Sequence, residues 1–430
     1  MFSLLAVFIG LLLVLMVFGI PISYALGMIS YVVIIIASGI DKISPELIAN
    51  RLYYSLNSFP ILAIPLFILA GQIMNEAKLT EKIFDFVNKC IGHIRGGLGH
   101  SNVVASMIFA GMSGSATADA GGLGAVELKA MNDAGYPKKF SVGITGSSSM
   151  IGTIIPPSIP MILYGVLANV SIGKLFMGGL LPGILMGLSL MIMAYFYSFR
   201  HSFPKKQKEC FSVILDSFKK AFLSLITPLI IIGGMWSGVF TPTEAGATAV
   251  AYSILLGVVI YRNINLKSLW KVFKESAKLS VQVLFILSFG AFYGYLLIRY
   301  RIPMVIAEYI MSVSQNPLIF LLIINIFFLI VGCFMSTVVS ITILTPIMIP
   351  IVKAFGVDPL HFGIIMVLNL TLGNLTPPFG MVLYTLSSVA KMSVNEVIES
   401  VTPFLIPLLV VLLLIIFFPK IVTFIPLYLM

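Results

Sequence analysis

Residues 108–124 read Ile108-Phe-Ala-Gly111-Met-Ser113-Gly-Ser115-Ala-Thr117-Ala-Asp119-Ala-Gly-Gly-Leu-Gly124. An apolar stretch runs into a cluster of Gly and Ser and then out again, so a hydrophobic helix breaks near Gly111–Ser115 and resumes. The same pattern returns without a gap 221 residues later. Gly111 falls on Gly332, Ser115 on Ser336, Leu123 on Leu344, Gly135 on Gly356, Gly152 on Gly373, and Pro156-Pro157 on Pro377-Pro378. The shared residues are those that govern backbone shape. A hydrophobic chain whose two halves repeat their helix breaks carries the signature of a secondary transporter.

Composition supports this reading. Apolar residues make up 59% of the 430 and charged residues 10%, against about 25% charged in soluble proteins. Apolar runs of about 20 residues, enough to cross ~30 Å of hydrocarbon, recur along the chain. This is an all-α polytopic membrane protein. The net charge of +10 is explained by basic residues flanking the spans, and no nucleic-acid motif accompanies it. Cys90, Cys210 and Cys333 show neither metal-ligand spacing nor a disulfide pattern, so no transition metal is expected. Met1–Gly19 lacks a charged leader and a cleavage site and reads as a first span.

Expected spans are 2–19, 21–40, 59–76, 140–166 and 176–199 in the first half, with a re-entrant hairpin at 98–131. The second half gives 221–240, 242–261, 279–298, 361–389 and 403–419, with a hairpin at 317–352. Amphipathic segments at 41–57, 79–96, 262–278 and 300–312 are placed in the interface. The domains are then 1–199, a basic cytoplasmic linker 200–220, and 221–430. Each half holds five transmembrane helices and one hairpin whose arms are too short to cross. An odd number of spans makes the second repeat inverted. With the linker inside, 19 of the 26 Lys and Arg fall on the cytoplasmic side and both termini lie outside, as the positive-inside rule requires.

The chemistry is expected at the breaks. Irregular backbone at membrane depth is tolerated only inside protein or facing a water-filled cavity. The spans after the hairpins contain Gly146-Ser147-Ser148-Ser149-Met-Ile-Gly152-Thr153 before Pro156-Pro157, and Asn369-Leu-Thr371-Leu-Gly373-Asn374-Leu-Thr376 before Pro377-Pro378. Proline removes a backbone donor and forces the preceding residue out of the α region, which frees carbonyls beside neutral side-chain oxygens. Such a set suits Na⁺. The expected sodium ligands are Gly114, Ser115, Ser147, Ser148, Ser149 and Gly152 in the first half. Their counterparts are Gly332, Ser336, Asn369, Thr371, Gly373, Asn374 and Thr376 in the second. No carboxylate stands at either break in the sequence, which argues against proton coupling there. The N-termini of the half-helices attract anions. Expected substrate contacts are Ser113, Ser115, Thr117, Asp119, Ser158, Met335, Ser336, Thr337 and Phe379. Of the other acids, Glu127 and Glu244 are placed near interfaces.

Gly111-Met-Ser-Gly-Ser-Ala, Ala118-Asp119-Ala120, Pro156-Pro157-Ser158, Gly238-Val-Phe-Thr-Pro-Thr-Glu-Ala and Asn374-Leu-Thr-Pro-Pro-Phe-Gly together resemble the large membrane subunit of TRAP (tripartite ATP-independent periplasmic) transporters. The resemblance covers essentially the whole chain. It implies an elevator-type fold of the ion-transporter superfamily in the bacterial inner membrane, with Na⁺ coupling. It also implies a small four-helix membrane subunit as a separate polypeptide and a periplasmic solute-binding protein. The implied substrates are organic acids, among them sialic acids and C4-dicarboxylates. A self-sufficient Na⁺/carboxylate symporter of the same superfamily is the nearest alternative. A channel fits poorly with hairpins opening to opposite sides. A rhomboid-like protease, suggested by Gly111-Met-Ser113-Gly, would need a histidine base beside the serine, whereas all four histidines fall at span ends or in loops.

Overall fold

The computed structural model describes residues 2–39, 44–200, 203–204 and 207–428, and these fold into helices and connecting turns without a strand. Lys42, His201, Lys205 and Lys206 lie outside the described residues. Helices α1 (Phe2–Val17) and α2 (Ile22–Ser38) are separated by Gly19 and Pro21. Helix α3 (Pro45–Leu56) starts on the Ser44 cap with Pro45 at its first position, and buries none of its residues. A 3₁₀ turn, Phe59–Leu62, leads into α4 (Ala63–Glu76). Helix α5 (Leu79–Ile91) is amphipathic, with Leu79, Ile83, Phe84 and Val87 buried and Glu81 and Asp85 exposed.

Helices α6 (Gly97–Ser113), α7 (Ala116–Gly121) and α8 (Leu123–Asp133) build the first hairpin. Helix α9 (Lys138–Ser149), a 3₁₀ turn (Met150–Thr153) and α10 (Ile159–Ala168) form the first broken span, followed by α11 (Ile172–Arg200). Helix α12 (Phe211–Trp236) precedes α13 (Pro242–Ile254), which a Thr241/Glu244 capping box starts and a π-helical turn, Leu255–Ile260, extends. Then come α14 (Leu266–Arg299), α15 (Ile302–Val313), and the second hairpin α16 (Pro317–Phe334) and α17 (Thr337–Ala354). The second broken span is α18 (Pro359–Gly373) and α19 (Met381–Ala390), and α20 (Val394–Phe417) and α21 (Lys420–Tyr428) close the chain.

Eight helices among the described residues are long and apolar enough to span a membrane: α4 with its preceding turn, α11, α12, α13 with its extension, α14, α16, α17 and α20. Both arms of the second hairpin are in this set at 18 residues each, so the expectation that each arm is too short to cross fails there. Helix α14 also departs from expectation. The interfacial segment 262–278 and the span 279–298 are one continuous helix of 34 residues, about 51 Å long. Polarity changes along it, but no Pro or Gly interrupts it before Gly290. The linker shortens for the same reason, because α12 begins at Phe211.

Helix α14 packs on α2, α3 and α4 and also on α17, where Gly290 and Gly294 receive Thr342 and Pro346. Helices α9 and α18 occupy the interior: every residue of 140–149 and of 360–373 is buried. A helix as rich in Gly, Ser and Thr as α9 survives at membrane depth only with protein on all sides, since lipid satisfies no hydroxyl.

Candidate functional site

The two hairpin tips share one construction. Helix α6 ends at Ser113, Gly114 turns the chain in the left-handed region at φ 62°, and Ser115 caps α7 through its hydroxyl. Helix α16 ends at Phe334, Met335 is extended, and Ser336 caps α17 in the same way. Both turns fall within the ranges the sequence marks as breaks, 111–115 and 332–337. Each tip is tied to its broken span by one backbone bond. Ile159 N–H donates to the Gly114 carbonyl at 3.4 Å, and Phe379 N–H to the Cys333 carbonyl at 3.2 Å. Gly114 is required where it stands, because a Cβ there would lie 2.7 Å from the Pro157 carbonyl oxygen. Both prolyl pairs, Pro156-Pro157 and Pro377-Pro378, are joined by cis peptide bonds.

A cavity of about 360 Å³ opens between the tips. Ser113, Gly114, Ser115, Ala116, Thr117 and Ala118 line it from the first tip and Ser336, Thr337 and Val338 from the second. Thr153 and Asn374 reach it from the broken spans, Ile68, Gly71, Gln72 and Asn75 from α4, and Leu279, Gln282 and Val283 from α14. Gly71 lets α4 approach the tip: a Cβ there would touch the Met112 carbonyl and the Ser113 Cα at 3.5 Å. Hydroxyls join the two parts of the chain behind this wall. Asn374 Nδ2 donates to Thr337 Oγ1 at 2.8 Å, Thr153 Oγ1 donates to Thr371 Oγ1 at 3.1 Å, and Thr337 and Thr371 lie 3.5 Å apart. The Asn374 Oδ1 and Ser113 Oγ are buried without a partner. The described lining contains no histidine.

Of the expected residues, Ser113, Gly114, Ser115, Thr117, Ser336, Thr337 and Asn374 line the cavity, and Thr371 stands directly behind it. Four expected substrate contacts do not. The Ser158 hydroxyl caps α10 and donates to the Thr153 carbonyl. Met335 forms the extended link between α16 and α17. Phe379 is 56% exposed beside Phe334, with ring centroids 5.8 Å apart. Asp119 lies on the far side of α7 from the cavity, accepting from Ser106 Oγ at 3.4 Å.

Asp119 instead reaches the first break. A Cβ placed on Gly152 would sit 3.5 Å from the Ser115 carbonyl oxygen and 3.6 Å from Asp119 Oδ2, which has no hydrogen-bond partner. The sequence reading found no carboxylate at either break, and the fold supplies one. Beyond it Ser106 bonds Ser148 at 3.2 Å, Ser148 donates to Asn102 Oδ1 at 2.7 Å, and Asn102 Nδ2 donates to Glu127 Oε2 at 2.8 Å and to Thr145 at 2.7 Å. Glu127 is therefore not solvated but wholly buried, whereas Glu244 is exposed in its capping box. Asn102→Ala should destabilise the protein by about 2 kcal/mol, since it strips a buried carboxylate of its donor; thermal unfolding in detergent reads this.

The remaining expected sodium residues divide by role. The Ser147 hydroxyl is buried without a partner, and Ser149 bonds back to the Gly146 carbonyl at 2.8 Å. Asn369 donates to the Asn325 carbonyl at 2.9 Å and to its side chain, tying α18 to α16. Thr376 bonds the Gly373 carbonyl at 2.8 Å and lies 2.8 Å from Cys333 Sγ. Gly332 and Gly373 meet backbone to backbone: a Cβ on Gly332 would lie 2.8 Å from the Gly373 Cα. Gln72, Asn75 and Gln282 were missed. Their signal is a primary amide inside an otherwise apolar run, which does not reveal the direction it faces.

The family description "Tripartite ATP-independent periplasmic transporter, DctM component" matches residues 9–421. The chain belongs to the DctM-component family of these transporters. This DctM-family chain is 40% identical over 410 residues to the sialic acid TRAP transporter large permease protein of Vibrio cholerae, with 95% of each chain covered. It is 38% identical over 374 residues to the C4-dicarboxylate TRAP transporter large permease protein of Pseudomonas aeruginosa, covering 87% of this chain and 88% of that one. Its fold is similar to that of the YdaH transporter of Alcanivorax borkumensis, with a TM-score of 0.62, 14% identity and 89% of each chain covered. It is a multi-span membrane protein of a transporter family.

Proposed function

We propose that this DctM-family chain is the large membrane subunit of a Na⁺-coupled carrier that imports an organic acid anion across the bacterial inner membrane. A periplasmic solute-binding protein delivers the acid, and a small four-helix membrane subunit completes the complex. The observation that carries the reading is the pair of serine-capped hairpin tips converging on one cavity with no charged residue in its wall. Helix N-termini bring unpaired N–H groups to an anion, and the broken spans bring oxygens to a cation. The names of the related permeases support an acid of the sialic acid or C4-dicarboxylate class.

Na⁺ fits the residues present. At the first break, the Ser115 carbonyl oxygen and the unpartnered Asp119 Oδ2 are the oxygens nearest the position a Gly152 Cβ would take, at 3.5 and 3.6 Å. At the second, Asn369 Oδ1 and Asn374 Oδ1 are both buried without a partner. Bound there, Na⁺ holds each tip against its broken span, and the tips then complete the anion site. The two halves act as inverted repeats, with termini outside, and the bundle of hairpins and broken spans moves as an elevator against a scaffold that includes α2–α5 and α12–α14. Each net charge moved inward gains ~2.3 kcal/mol per 100 mV, so two Na⁺ drive accumulation of a monoanion.

The test is uptake into proteoliposomes holding this chain and its small partner, with and without a Na⁺ gradient and with and without the binding protein. Dependence on both is expected; uptake that needs Na⁺ alone would make the chain a self-sufficient symporter. Asn374→Leu should abolish Na⁺-driven uptake while the protein still elutes as a folded species, because it removes one of the two unpartnered oxygens, the one at the cavity, and the bond to Thr337. Full uptake in this variant would move the sodium site elsewhere.

A further inference from the structure

The cavity has two unlike walls. On the tip side, the N-terminus of α17 presents Ser336, Thr337 and Val338, and the 5%-exposed Ser113 adds a hydroxyl with no partner. On the opposite side stand three primary amides, Gln72 and Asn75 on one face of α4 and Gln282 on α14. The Asn75 Oδ1 is buried and unpaired. None of the lining residues is charged.

Resting on the carrier reading above, we infer that Gln72, Asn75 and Gln282 determine specificity and select a monocarboxylate bearing several hydroxyl or amide groups over a dicarboxylate. The N-terminus of α17 stands on the tip side of the lining, whereas the α4 and α14 residues opposite come from no helix N-terminus, so the N–H donors for a carboxylate lie away from the amides. A carboxylate only accepts hydrogen bonds, whereas each side-chain amide both donates and accepts. A second carboxylate against the amide wall can accept from the amide N–H groups but offers the amide oxygens no donor, and the described lining holds no Arg or Lys to offset its charge. Hydroxyl and amide groups match the wall in both directions. A site built to bond such groups rejects analogues lacking them, because its own polar atoms are then stranded.

The test is equilibrium binding to the purified membrane complex in Na⁺ buffer without the binding protein, so that only this cavity selects. The probes are gluconate, N-acetylneuraminate, succinate and hexanoate. At least one of the two hydroxylated monoacids should bind ~10-fold or more tightly than succinate and hexanoate, the worth of a few satisfied hydrogen bonds. The near-isosteric double variant Gln72→Met, Gln282→Met should erase that preference, weakening the hydroxylated monoacid and tightening hexanoate, which no longer strands the amides. Tighter binding of succinate, or a preference that survives in the double variant, would overturn the assignment. Binding of none of the four in Na⁺ would remove the carrier reading beneath it, which separates the two failures.

Discussion

Asp119→Asn should raise the Na⁺ concentration for half-maximal uptake at least tenfold, while the variant remains folded and keeps its Ser106 contact. The substitution preserves shape and removes one negative charge from the space over Gly152. Two unit charges 4 Å apart at an effective dielectric near 20 attract by about 4 kcal/mol. Even a third of that changes an affinity about tenfold. The direct readout is Na⁺ titration of uptake by the reconstituted complex. An unchanged Na⁺ requirement would show that Asp119 does not face the coupling ion. Gly152→Ala is a second probe of the same space, since its methyl would occupy the gap between the two oxygens at ordinary contact distance.

Gly373→Val should eliminate uptake and lower stability by about 3 kcal/mol, the upper end for overpacking a closed interface. A Cβ on Gly373 would lie 2.6 Å from the Gly332 carbonyl carbon and 3.1 Å from the Cys333 nitrogen. Backbone cannot step aside as a side chain tip can, so α16 must leave α18 and take the second tip with it. Gly233 is the control. It lies in α12, is exposed, and has open space around it, so Gly233→Ala should be silent or stabilising by up to ~1 kcal/mol. Thermal unfolding and uptake of both variants check the pair, and a stable, active Gly373→Val protein would show that the close approach is dispensable.

Local chemistry was legible because it acts within a few residues. Ser115 and Ser336 cap helices in the structure, and the Pro-Pro pairs end helical hydrogen bonding close to where they stand in the chain. Arm length was less secure: 18 residues suffice to cross, so the second hairpin is not marked by shortness. Polarity misled at α14, where lysines among apolar residues suggested an interfacial segment and a separate span. Backbone continuity depends on breakers, and that stretch has none.

By itself the sequence determined that this chain is an apolar, helical, membrane-embedded protein whose duplicated breaks carry polar groups, since composition, period and the conformational limits of Gly and Pro are properties of short segments. Its motifs carried the family resemblance as well. Only the tertiary structure decided which polar groups meet. Asp119 reaches Gly152, 33 residues away, because α8 and α9 fold back against α6 and α7. The amides of Gln72 and Gln282 meet the hairpin tips because α4 and α14 pack together beside them. Helical period assigns a residue to a face of its own helix, but which neighbour that face meets is set by packing between segments far apart in the chain.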